Sequence, residues 1–268
     1  MNDTTSLKAF FGFQQHPFPP ACAPEPLFRS EVLDTALGHT QNALQSRLHV
    51  LVTAAAGLGK SSFCRLLMAE LNPRDFRPLY LVGQPIGLAD LLRGVAEALG
   101  LESSARKGKA AQLLSEGLEK IAAAAGPHPV VVLDESQQVP IEGIEFLRLL
   151  AESHQRTLLS LVLVADDAFA RLLTRPALAP LAGRLALRVR LPALTPDQAA
   201  DFVEHAFTTA GMTNILSPSA LPALHAASTG SPRRLGAFVA AGMQRALEKR
   251  AQMLTDEIIQ EVLDDHSP

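Results

Sequence analysis

The apolar run His49-Val50-Leu51-Val52-Thr53 leads directly into Ala54-Ala55-Ala56-Gly57-Leu58-Gly59-Lys60-Ser61. This junction constrains the fold more than any other stretch of the chain. Aliphatic and β-branched residues without polar alternation predict a strand buried on both faces. The residues after it fit the phosphate-loop pattern G-x-x-x-x-G-K-S/T except at the first position, where Ala54 replaces glycine. Gly57 and Gly59 let the backbone turn its N–H groups toward a phosphate. Lys60 supplies charge for the β and γ phosphates, and Ser61 offers an oxygen to Mg²⁺. The helix predicted after the loop points its N-terminus at the same anion. Gly57, Leu58, Gly59, Lys60, Ser61 and Ser62 are therefore the candidate nucleotide-binding set, with ATP and Mg²⁺ as the expected cofactors.

A strand followed by a phosphate loop needs a sheet to sit in, and the rest of the chain supplies one. Further strands are expected at 79–82, 129–133, 158–165 and 185–189. Helical patterns fall at 30–46, 63–71, 88–99, 110–125 and 141–153. Apolar strands alternating with helices predict an α/β fold, a parallel sheet covered by helices on both faces. Hydrophobic residues make up 47% of the 268, enough for a sizeable core. After Leu191 the strand signals stop. Thr195-Pro196-Asp197-Gln198 reads as a capping box with proline at the first helical position, and Ser217-Pro218 and Ser231-Pro232 repeat the cap-then-proline signal. The expected organisation is a nucleotide-binding core at 1–191, including a Phe/Pro-rich start, and a small all-helical lid at 192–268.

The run Val130-Val131-Val132-Leu133 ends in Asp134-Glu135. Acids at the carboxyl end of a buried strand lie where such sheets place their ligands. Asp134 is expected to hold the hydrated Mg²⁺ with Ser61, and Glu135 to orient and polarise the attacking water. Ser231-Pro232-Arg233-Arg234 opens a helix with cations in its first turn, against the helix dipole. A nearby anion accounts for that choice; two solvated arginines are the alternative. Arg184, just before the last strand, is suited to the phosphate charge of a neighbouring subunit, although Arg188 and Arg190 are close to it in sequence. Arg106-Lys107-Gly108-Lys109 lies in a polar break between helices and reads either as a solvated loop or as backbone contact to nucleic acid.

The net charge is −3, so a basic coat around the whole molecule is excluded and DNA binding must come from a local patch. The histidines show no paired-ligand spacing for zinc, and no Ser-His-Asp arrangement is defensible. Cys22 and Cys64 make neither a disulfide framework nor a thiolate metal site, and Cys64 reads as a core residue. The apolar runs are too short to cross a bilayer, and the start MNDTTSLKAF lacks a signal-peptide pattern. A cytoplasmic location without membrane contact is the expectation.

The chain resembles the ExeA-like (general secretion pathway protein A-like) AAA+ ATPases, a group close to the TnsC-, MuB- and IstB-like transposition ATPases. The resemblance rests on Phe10-Phe11-Gly12-Phe13 with Pro17-Phe18, the phosphate loop, Leu133-Asp134-Glu135-Ser136-Gln137 and Leu163-Val164-Ala165-Asp166-Asp167. It continues through Arg184-Leu185, Leu191-Pro192-Ala193-Leu194-Thr195 and Gly230-Ser231-Pro232-Arg233. It implies a P-loop AAA+ fold with a C-terminal helical lid and a Mg²⁺-dependent ATPase working as a homo-oligomer, a ring or a helical filament. By the same resemblance Asp166 falls at the sensor-1 position, where the family has glutamine after glycine. Arg184 falls at the arginine finger and Arg233 at sensor 2. In the transposition relatives the region holding Arg106, Lys107 and Lys109 contacts DNA. Two functions are implied: a regulator that assembles on double-stranded DNA and recruits or activates a transposase, or an ATPase assisting a type II secretion-like envelope machine.

Overall fold

The computed structural model describes residues 6–18, 28–153 and 156–266. Residues 19–27, which include Cys22 and most of the proline-rich start, lie outside the described residues. The chain forms two compact units. One comprises 31–56 and 60–191; the other comprises 1–30, 57–59 and 192–268. The N-terminal segment, expected with the core, groups with the helical unit.

The first unit is the α/β layer arrangement expected from the alternation. Five strands, β1 (His49–Thr53), β2 (Phe76–Val82), β3 (His128–Asp134), β4 (Ser160–Ala165) and β5 (Leu185–Arg190), form one sheet in the order β2-β3-β4-β1-β5. All its pairings are parallel. The three central strands are buried along their whole length, which explains their lack of alternation. Leu51, Val131, Leu133, Leu161 and Leu163 pack against α3 (Leu88–Ala98), α4 (Lys107–Ala123) and α5 (Ile141–Ala151). On the opposite face α1 (Glu31–Gln45) lies against β1 and β5, and α2 (Lys60–Glu70) against β2, β3 and β4. Each fully buried Leu or Val contributes about 1.5–3 kcal/mol, so the two covered faces dominate the stability of this unit. Two short helices, α6 (Asp167–Leu172) and α7 (Ala179–Arg184), fill the connection between β4 and β5.

Most boundaries shift by one to three residues, and three differences from expectation have a clear cause or consequence. β2 begins at Phe76 rather than 79, because it is an edge strand where Pro78 leaves only the open side without a donor. The helix expected to run to Ser153 ends at Ala151, where Glu152–Ser153 pairs antiparallel with Arg156–Thr157. The basic run is not a loop: Arg106 occupies the N-cap position of α4 without a side-chain capping bond, and Lys107 and Lys109 lie in its first turn.

The second unit is helical where it follows Leu191. α8 (Pro196–Thr209) starts at the expected capping box: Gln198 N–H donates to Thr195 Oγ1 at 3.3 Å, and Thr195 N–H to Gln198 Oε1 at 3.1 Å. α9 (Leu221–Ser228), α10 (Pro232–Glu248) and α11 (Asp256–Asp265) follow. They enclose Phe207, Leu224, Leu235, Val239 and Met243, and Phe13 from the N-terminal segment joins this core.

Candidate functional site

The register of the sheet brings the ends of the central strands level. Thr53 pairs with Ala165 and Leu133 with Leu163, so Ala54, Asp134 and Asp166 emerge together at the carboxyl edge. The Ala54 N–H donates to the Ala165 carbonyl at 3.1 Å, prolonging β1 by one residue. Ala54 is fully buried and does not have positive φ, so alanine serves where the pattern has glycine. The positions that do need glycine have it: φ is +79° at Gly57 and +92° at Gly59.

Lys60, the first residue of α2, is buried, and its Nζ donates to the Ala54 carbonyl at 3.2 Å. The same Nζ lies 3.9 Å from Glu135 Oε1. Ser61 Oγ donates to Asp134 Oδ2 at 3.2 Å. Asp134 is 2% exposed, and its Oδ1 accepts the Glu135 N–H at 2.8 Å. Ser62 follows half-buried on α2, and Leu58 is half-buried between the two glycines.

Glu135 has φ +50° and ψ +40°, a left-handed conformation that costs a non-glycine residue about 1–3 kcal/mol and recurs at functional sites. The turn is held by Ser136 Oγ donating to the Leu133 carbonyl at 2.6 Å and by Gly83 N–H donating to the Asp134 carbonyl at 2.7 Å. A Cβ at Gly83 would stand 2.3 Å from the Glu135 carbonyl oxygen, so β2 can come this close only with glycine there.

Two polar residues that sequence reasoning did not assign a role belong to this cluster. Gln137 donates its amide to Glu135 Oε2, and its Oε1 accepts the Asp166 N–H at 3.3 Å. Tyr80 Oη donates to Asp134 Oδ2 at 2.9 Å. Burial and the Asp134 carboxylate push the Tyr80 phenol above its ordinary range. Gln137 could have been found as the polar residue after the strand-end acids, whereas Tyr80 carries no motif signal.

The Asp166 side chain caps α6, accepting the Phe169 N–H at 2.9 Å, so its carboxylate is engaged in helix initiation and only its backbone joins the Gln137 relay. Arg184 lies elsewhere. It ends α7, just before Leu185, which pairs with His49 at the amino edge of the sheet. Its guanidinium is 62% exposed and stands 3.9 Å from Glu152 Oε2, which also accepts from Arg148 at 3.1 Å. Arg106, Lys107 and Lys109 are exposed at the start of α4, where Lys107 Nζ lies 5.6 Å from the Phe146 ring centroid. Within the helical unit, which takes in residues 57–59, Ser231 Oγ donates to the Gly57 carbonyl at 3.3 Å and Arg233 N–H to the same oxygen at 3.4 Å. Cys64 is buried, and burial raises its thiol pKa, as suits an inert core residue.

The donor set suits a hard cation with a phosphate. Ser61 and Asp134 present oxygens, the ligand type Mg²⁺ takes, beside a lysine and a helix N-terminus that favour an anion. No group of three His, Cys, Asp or Glu that could hold a softer metal occurs among the described residues. No helix among them is long and apolar enough to cross a membrane.

Comparison with known proteins bears on the domain family and the fold. The AAA domain family matches residues 42–173. General secretion pathway protein A of Aeromonas hydrophila is 32% identical over 231 residues, covering 84% of this chain and 42% of that protein. The chain therefore spans about two fifths of the length of this curated relative. Among solved structures, Cdc6p from Pyrobaculum aerophilum aligns with a TM-score of 0.71 at 15% identity, over 93% of this chain and 70% of that one. The Aeropyrum pernix ORC1 protein in complex with DNA aligns at 0.68 and 20% identity, over 95% and 70%. The RuvB Holliday junction branch migration motor of Thermotoga maritima aligns at 0.59 and 18% identity, over 94% and 73%. At such identities the likeness is one of fold: an α/β P-loop AAA fold with a helical C-terminal region.

Proposed function

We propose that this chain, whose residues 42–173 match the AAA domain family, binds Mg²⁺–ATP at the carboxyl edge of its sheet and hydrolyses it between neighbouring subunits of a homo-oligomer. The observation that carries the reading is the convergence of Lys60, Ser61, Asp134 and Glu135 within hydrogen-bond or ion-pair reach of one another. Lys60 holds the β and γ phosphates, and Ser61 and Asp134 hold the metal. When bound, Mg²⁺ supplies positive charge against the phosphate oxygens. Glu135, oriented by Gln137, accepts the proton of the attacking water. Arg184 faces away from its own loop, at the amino edge of the sheet, and serves the site of the next subunit. Arg233 serves as the second nucleotide-sensing arginine, whereas Asp166 acts as a helix cap whose backbone registers the Gln137 position.

The assembly acts on double-stranded DNA as a regulator that recruits or activates a transposase. Support comes from the exposed Arg106, Lys107 and Lys109, set at a helix N-terminus where backbone N–H groups add to their attraction for phosphate. A second reading, assistance to a secretion-type envelope machine, is favoured by the similarity to general secretion pathway protein A. Co-sedimentation with duplex DNA, with and without Mg²⁺–ATP, separates them. ATP-dependent pelleting supports the first, and no pelleting at low salt leaves the second.

A further inference from the structure

Asp134 Oδ2 is the most heavily used carboxylate oxygen of the site. It accepts from Ser61 Oγ at 3.2 Å and from Tyr80 Oη at 2.9 Å, while Oδ1 accepts the Glu135 N–H. A carboxylate oxygen offers about two lone-pair positions, so these two hydroxyls saturate Oδ2. The metal reading asks more of the same oxygen. Ser61, the other metal-side group, bonds Oδ2, whereas Oδ1 is engaged by the Glu135 N–H, so a cation held at Ser61, or a water of its hydration shell, meets Asp134 first at Oδ2. Ser61 can stay, because a hydroxyl bound to a cation through its oxygen still donates its proton. Tyr80 brings only a donated proton to the position where a metal-bound water would donate. Its surroundings let it leave: Tyr80 is 43% exposed on the edge strand β2.

We propose that Tyr80 is a positioning residue that holds the Asp134 carboxylate in the metal-free site and yields its place on Oδ2 when Mg²⁺–nucleotide binds. This rests on the nucleotide reading above. Tyr80 thus keeps a buried carboxylate hydrogen-bonded before loading and sets a threshold of cation concentration for loading.

The chain supplies its own reporter, since Tyr80 is its one tyrosine and it contains no tryptophan. A phenol bonded to a carboxylate emits weakly, and a freed phenol emits more strongly. Emission is compared at one ATP concentration with Mg²⁺ and with a chelator, while calorimetry follows ATP binding under the same conditions. The expected result is brighter emission with Mg²⁺ and, in Tyr80→Phe, a half-saturating Mg²⁺ concentration lower by about threefold to tenfold, the worth of one lost hydrogen bond. Calorimetry showing Mg²⁺-dependent ATP binding while emission is unchanged overturns the proposal alone. So does an unchanged or raised Mg²⁺ requirement in Tyr80→Phe, which would make the tyrosine a support rather than a competitor. Calorimetry showing no ATP binding at all overturns the proposal together with the nucleotide reading.

Discussion

Lys60 is buried and already committed to the Ala54 carbonyl, so its charge is held where a phosphate would arrive. Lys60→Ala removes the only cationic side chain of the loop and should lower ATP affinity at least about a hundredfold, since hydrogen bonds to charged groups contribute roughly 1.5–3 kcal/mol and phosphate accepts more than one. Isothermal titration checks this, and unchanged affinity removes the loop assignment. Glu135→Gln differs in kind. The amide retains size and hydrogen bonding to Gln137 but cannot take a proton, so ATP should bind normally while turnover falls by about 10²–10⁴. Wild-type turnover would take the role of base away from Glu135. The sequence made these residues legible because their spacing from a strand is fixed by backbone geometry. It left the effect of Ala54 open, because only the Ala54–Ala165 hydrogen bond shows that the position is strand rather than turn. Tyr80 was illegible for a related reason: its role depends on β2 lying next to β3, and strand order is not written in local pattern.

Among the elements, the strands have two ends with different chemistry. The carboxyl edge gathers the site, and the amino edge gathers His49, His128, Glu152 and Arg184. Arg184 is separated from its own loop by the length of β1, about 16 Å at the usual rise per residue, and therefore needs a neighbour to act on phosphate. Turnover per protomer should rise with protein concentration in the wild type and stay flat in Arg184→Ala, with ATP affinity unchanged. Mixing Arg184→Ala with Glu135→Gln should restore part of the activity at interfaces that pair an intact arginine with an intact glutamate. No recovery, with a concentration-independent wild-type rate, argues for a monomeric switch.

The same edge predicts a pH response. Burial, then the charges of Arg47 and His49, lowers the His128 pKa to about 4. Its Nε2 shares a hydrogen bond with Ser160 Oγ at 2.9 Å. Burial also lowers the His49 pKa, opposed by Glu152. Unfolded histidines titrate near 6.5, so between pH 6.5 and 4 the unfolded chain binds protons that the native His128 refuses. The His128 contribution to stability should be fully present above pH 7, fall as pH drops through 6.5, and level off below about 4, a loss on the order of 3 kcal/mol. The gap between the urea midpoints at pH 7.5 and pH 5 should narrow in His128→Gln, with His49 left to supply the remainder, and an equal pH loss in that variant rejects the assignment.

For the whole molecule the deciding quantity is charge. At −3 overall the chain repels DNA as a body, so attraction has to come from one small surface multiplied by assembly. Arg106, Lys107 and Lys109 offer about three phosphate contacts per subunit. On the proposed reading one copy should bind weakly, whereas several copies aligned by ATP should bind tightly through high effective concentration. Phosphate contacts position without reading bases, so affinity should be nearly indifferent to sequence. Lys107 is the poorest residue to remove, because it also lies against Phe146 of α5 and its loss disturbs packing as well as charge. Arg106→Ala with Lys109→Ala is cleaner. With ATP present, that pair should weaken binding across all duplex sequences and lower the salt slope by about two per engaged subunit. ATP affinity should stay at the wild-type value, since the start of α4 contributes nothing to the phosphate loop. Retained binding with an unchanged salt slope moves the DNA surface away from α4. If the wild type fails to bind DNA at low salt with ATP, the cations at the head of α4 are a solvated helix start, and the nucleotide-driven assembly works on a protein partner instead.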